Sequence, residues 1–170
     1  MPAVWKNGVG MPWSNLSAYA KSVYVDGNSI YAAGREYIKA YTATYWANDI
    51  SNLLADKYSY TESVYVANGD VYVGGAEPGT GKNAMLWKNG QAMALSFPHG
   101  TSSAEVQSVC VAGKNVYAAG SAYIPEKNNV ALLWKVGAVV ELTDGSTRAV
   151  AGAVCVSGSD VYVAGYDTYT

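Results

Sequence analysis

From Ser22 the chain reads S-V-Y-V-D-G-N-S-I-Y-A-A-G, two short β-branched and aromatic runs on either side of Asp26-Gly27-Asn28-Ser29. Apolar runs of this length around residues that tolerate left-handed backbone predict a β-hairpin. The pattern returns without a gap at 63–75, 108–120 and 153–165. A second pattern, a short apolar run ending in W-K-N-G or a close variant, occupies 3–8, 44–49, 85–90 and 132–137. A further short apolar segment follows it, clearest at 91–95 and 138–142. No window repeats apolar residues at i, i+3 and i+4 for three turns, so helices are excluded. Each repeat therefore predicts four short strands.

Val25, Val66, Val111 and Val156 mark the repeat and stand 41, 45 and 45 residues apart. Four strands in such a period are the signature of β-propeller blades. The chain enters at the third strand of one unit and stops after the second strand of another. The two halves add up to one blade, and pairing them would remove two exposed sheet edges. The expected fold is all-β: a small propeller of four blades with four antiparallel strands each, residues 1–22 and 153–170 jointly forming the closing blade. The whole chain, 1–170, is then one domain and a monomer. The alternative is a dimer in which two chains form an eight-bladed ring and complete each other's split blade.

The W-K-N-G and S-V-Y-V-x-G-x-x-V-Y-x-x-G units resemble those of bacterial β-propeller repeat proteins and, more distantly, the Trp-bearing blades of lectin-type propellers. The G-H and W-D pairs of WD40 blades and a di-glycine in every blade, as in kelch, are missing. The resemblance implies the fold; propellers host binding, scaffolding and catalysis alike.

Trp5, Trp46, Trp87 and Trp134 recur once per unit, as do Tyr31, Tyr72, Tyr117 and Tyr162, which predicts packing between twisted sheets. Gly34, Gly75, Gly120 and Gly165 close each second strand, where close backbone approach or positive φ is expected. Cys110 and Cys155 replace Tyr24 and Tyr65 of the other units, so small core hydrophobes are expected, with no disulfide or metal pair.

Composition narrows the partners. Half of the 170 residues are apolar, 14% are charged and the formal net charge is -2. The clustered Lys and Arg that nucleic acid or an anionic membrane requires are missing, so neither is expected as a partner. No apolar run approaches the ~20 residues of a membrane helix, and the first residues lack the pattern of a secretory signal. The compartment stays open, export with removal of a signal included. Fifteen Tyr and five Trp against one Phe favour rings with a polar tip.

In an up-and-down blade the first-to-second and third-to-fourth turns share one face, and both kinds are short. The other loops are longer and mutually different, and they fall on the opposite face. Rigid scaffolds carry function on such loops. The candidate binding residues are Arg35, Glu36, Tyr37 and Tyr41, then Glu77, His99, Tyr123, Tyr166 and Asp167, with Tyr169, Asp56, Lys57, Glu105, Asp144 and Arg148 nearby in the same loops. Tyr beside acidic or amide groups suits sugars: rings cover a pyranose face while polar groups take its hydroxyls.

Catalytic signatures are sparse. His99 is the sole histidine, so a histidine metal cluster is impossible and a Ser-His-Asp triad would rest on it alone. Residues 77–83 (E-P-G-T-G-K-N) imitate a phosphate loop, yet Ala76 and Asn83 stand where Gly and Ser or Thr are required. Carboxylates for hydrolysis would have to converge from Glu36, Glu77, Glu126 and Asp167. No cofactor is called for; a channel cation held by carbonyls is geometrically possible but demanded by no residue pattern. The expectation is a non-catalytic module for a glycan or small polar ligand, with a protein-interaction scaffold and, further off, a carboxylate hydrolase or lyase as alternatives.

Overall fold

A computed structural model describes residues 3–56, 58–77 and 84–168, and among these the chain is all β, with no helix. Sixteen strands form five antiparallel sheets in chain order. The first is the hairpin β1 (Ala3–Lys6) and β2 (Val9–Pro12). The second holds β3 (Ala18–Asp26), β4 (Ser29–Tyr37), β5 (Tyr41–Ala47) and β6 (Ile50–Leu53). The third holds β7 (Tyr60–Ala67), β8 (Asp70–Ala76), β9 (Ala84–Lys88) and β10 (Gln91–Met93). The fourth holds β11 (Ser103–Ala112), β12 (Asn115–Tyr123), β13 (Asn129–Lys135) and β14 (Ala138–Glu141). The last is the hairpin β15 (Ala149–Ser157) and β16 (Asp160–Asp167).

The turns explain the hairpins. Asn7-Gly8 and Asn89-Gly90 both hold two consecutive residues at positive φ, the turn whose twist matches antiparallel strands. Asn48 and Asn89 also accept, through Oδ1, the amides of Ile30 (3.0 Å) and Val71 (2.8 Å), tying this turn to the second strand of its own sheet.

Every first strand breaks register once. Lys21, Glu62, Gln107 and Gly152 are the extra residues of four equivalent bulges. Opposite each bulge lies a closing glycine. A Cβ on Gly75 would stand 2.1 Å from the Tyr60 carbonyl oxygen, and the other three are as tight, so close approach, not positive φ, requires glycine here. The serine after the bulge reaches the next sheet. Val64 N donates to Ser22 Oγ (3.2 Å), Val109 N to Ser63 Oγ (3.0 Å) and Val154 N to Ser108 Oγ (3.2 Å). The fourth copy has Ala153 and no hydroxyl to offer.

The sheets stack with a polarity. Trp87 packs with Ala33 and Ala43 of the preceding sheet, and Trp134 with Leu86 and Ala84 of its predecessor. Tyr72 and Tyr117 face the following sheet. Trp46, Trp87 and Trp134 are 0%, 1% and 1% exposed, and Tyr72 and Tyr117 6% and 5%. Among the described residues no sheet precedes that of Trp5, which is 69% exposed, and none follows that of Tyr162, which is 55% exposed. Trp46 Nε1 is buried with no partner among the described residues, whereas Trp134 Nε1 donates to the Ser96 carbonyl at 2.8 Å.

At two places the described residues depart from expectation. β1–β2 and β15–β16 are separate two-stranded sheets, and no ladder joins β16 to β1 among the described residues. Cys110 is buried as expected, but Cys155 is exposed, because no sheet covers its face of the terminal hairpin.

Candidate binding trough

Three equivalent first strands, β3, β7 and β11, begin at the long-loop end of their sheets, and the bulges re-aim side chains there. Two concavities result, of about 230 and 170 Å3, meeting at Tyr60 and Glu105. They form the two lobes of one trough. The first lobe holds Ser103, Ser121, Tyr123 and Asn129. The second holds Tyr19, Lys21, Arg35 and Glu62.

Polar contacts fix the floor. Tyr60 Oη donates to Glu105 Oε2 at 3.1 Å, linking the second and third four-stranded sheets. Burial, then the charge and hydrogen bond of Glu105, push the Tyr60 phenol up to about 12. Lys21 Nζ lies 3.3 Å from Glu62 Oε2. At the far wall the Arg35 guanidinium sits over two rings, 4.6 Å from the Tyr41 centroid and 5.2 Å from that of Tyr19. Tyr37 meets Tyr41 edge-on at 5.3 Å, and Tyr19 meets it tilted at 5.8 Å. A hydrogen bond with Tyr41 raises the Tyr19 phenol.

The structure gathers Arg35, Tyr37, Tyr41 and Tyr123 of the sequence candidates at this end. Glu36 is elsewhere: it is 3% exposed and accepts from Ser14 Oγ and, at 2.7 Å, Ser51 Oγ, so it holds the second sheet together. Successive strand residues point to opposite faces, which separates it from Arg35. Tyr166 and Asp167 line a different hollow against Val150 and Leu142, where Asp167 accepts from Thr147 Oγ1. His99 is exposed in a turn closed by Thr101 Oγ1 donating to the Pro98 carbonyl at 2.8 Å. Glu77 directly follows β8, while the adjoining loop, 78–83, with Lys57 and Tyr169, lies outside the described residues.

Sequence reasoning missed Tyr19, Lys21, Tyr60 and Glu62, because it looked for function in loops and these are strand residues. A signal was present: across otherwise regular repeats, the bulge position reads Lys, Glu, Gln and Gly, and the position two before it Tyr, Tyr, Glu and Val.

Among the described residues, none of these hollows is lined by two of Glu36, Glu77, Glu126 and Asp167; the two carboxylates that share a lobe are Glu62 and Glu105. No group of three His, Cys, Asp or Glu suited to a metal occurs among the described residues. Comparison with known protein families and with curated proteins finds no match to this chain.

Proposed function

We propose that the chain is a non-catalytic binding module of the β-propeller type, recognising a glycan or another small polar ligand in the trough. The observation that carries this reading is one polar, aromatic-walled depression built from the equivalent ends of three repeated sheets. Tyr19, Tyr41 and Tyr123 offer ring faces, and Ser103, Ser121, Asn129 and the carboxylates offer hydroxyl partners. Screening the chain against a glycan array and a peptide library tests it: sugar hits are expected, and peptide hits alone would reject it.

The propeller reading rests on the stacking polarity. β1–β2 carries the Trp and the Asn-Gly turn of a third and fourth strand, and β15–β16 the bulge and Tyr of a first and second. Joined through β16 and β1, they would make one more sheet of the same kind, burying Trp5 and Tyr162. A protein-interaction scaffold is the second reading, favoured by the exposed Trp5 and Val23, which line one hollow.

A further inference from the structure

The trough holds two cations and two carboxylates, and they are not partnered alike. Lys21 is neutralised by Glu62 at 3.3 Å, and Glu105 is engaged by the Tyr60 hydroxyl. Arg35 is different. No carboxylate among the described residues lies within ion-pair reach of its guanidinium, and the nearest acid in sequence, Glu36, is turned into the sheet and held by Ser14 and Ser51. Tyr19 and Tyr41 flank the guanidinium instead. Rings that pack against a guanidinium restrain it while leaving its in-plane N–H groups for a planar acceptor, and a carboxylate matches that fork.

We propose that the trough takes an acidic glycan, with the carboxylate of a uronate unit docking on Arg35 and a hydroxyl-rich neighbour lying in the lobe of Ser103, Ser121, Tyr123 and Asn129. This rests on the glycan reading and adds the ligand's charge and polarity of seating. Tyr60 and Glu105, shared by both lobes, contact the ligand at the junction between the two units. A cation without an ion-pair partner at one end and hydroxyl partners toward the other set the direction in which the chain lies. Phosphate alone would satisfy Arg35 but leaves the lobe of Ser103, Ser121, Tyr123 and Asn129 unused.

Titration calorimetry with a short oligogalacturonate and with its methyl-esterified, uncharged counterpart separates the possibilities. The acidic form should bind at least about tenfold more tightly, and the margin should shrink as salt is raised. Arg35→Gln should abolish that margin, and Arg35→Lys should restore only part of it, since a point charge lacks the fork. Arg35→Gln gives up the contacts with the Tyr19 and Tyr41 rings, so thermal melts of both variants confirm that the chain titrated is folded, and Arg35→Lys keeps the charge on those rings. Equal binding of the two forms overturns this inference while leaving the glycan reading in place. An unchanged margin in Arg35→Gln overturns the assignment to Arg35. Binding of neither form overturns the uronate inference, and the array then decides whether any glycan binds.

Discussion

The same residue type has opposite value at different repeats, because burial and not identity sets its energy. Trp87→Ala should cost about 3–5 kcal/mol, the usual loss for emptying a packed aromatic site. Trp5→Ala, at 69% exposure, should cost about 0.5 kcal/mol or less. Urea unfolding of the two variants measures the contrast, and a large loss at Trp5 would mean that its face is covered in solution. Tyr60 supplies a pH test. In the unfolded chain its phenol ionises near 10, whereas in the fold it stays protonated up to about 12. The unfolded state therefore loses its proton first, so this contribution is fully present below pH 10 and is lost as pH rises through 12. Alkaline unfolding midpoints should show a shallower decline for Tyr60→Phe than for the parent chain.

Within the elements, two repeated devices can be tested by their exceptions. Val136 occupies the left-handed region (φ 50) that Asn7, Asn48 and Asn89 fill elsewhere, a costly place for a β-branched side chain. Its own amide already bonds to the Val116 carbonyl at 2.8 Å, as Asn89 N does to that of Val71. Val136→Asn should relieve the strain and add the missing side-chain bond to the Val116 amide, stabilising the chain by about 1 kcal/mol in thermal unfolding. The second device is the serine after each bulge. Ser63→Ala leaves the Val109 amide without its acceptor in a buried site, and a loss of about 1–3 kcal/mol is expected from the same measurement. Hairpins, turns and the core tryptophans were all legible in the sequence, since alternation and turn chemistry are local. The bulges were not: one extra residue in a strand leaves the apolar pattern looking regular, and its effect is felt only across the sheet. That is why Tyr19, Lys21 and Tyr60 escaped notice while Arg35 and Tyr41 did not. Glu36 was misplaced for a related reason, as strand alternation sends it to the face opposite its neighbour.

Across the whole molecule, identical sheet-on-sheet contacts build an order with distinct ends, a Trp face at β1 and a Tyr face at β16. The contacts β7 makes with β4 and β5 are repeated by β11 on β8 and β9 and by β15 on β12 and β13. That each terminus carries half of a repeat was readable from the phase of the repeats. Whether the halves meet depends on angles accumulated over every interface, which no local pattern encodes. This stack sets the trough at the ends of β3, β7 and β11, so its shape depends on neighbouring sheets being docked. Backbone NMR shifts recorded while a short oligogalacturonate is added would map it directly: perturbations should centre on Tyr19, Arg35, Tyr60, Glu105 and Tyr123. Perturbations confined to the terminal hairpins or the short-turn face, with those five residues unmoved, would contradict it.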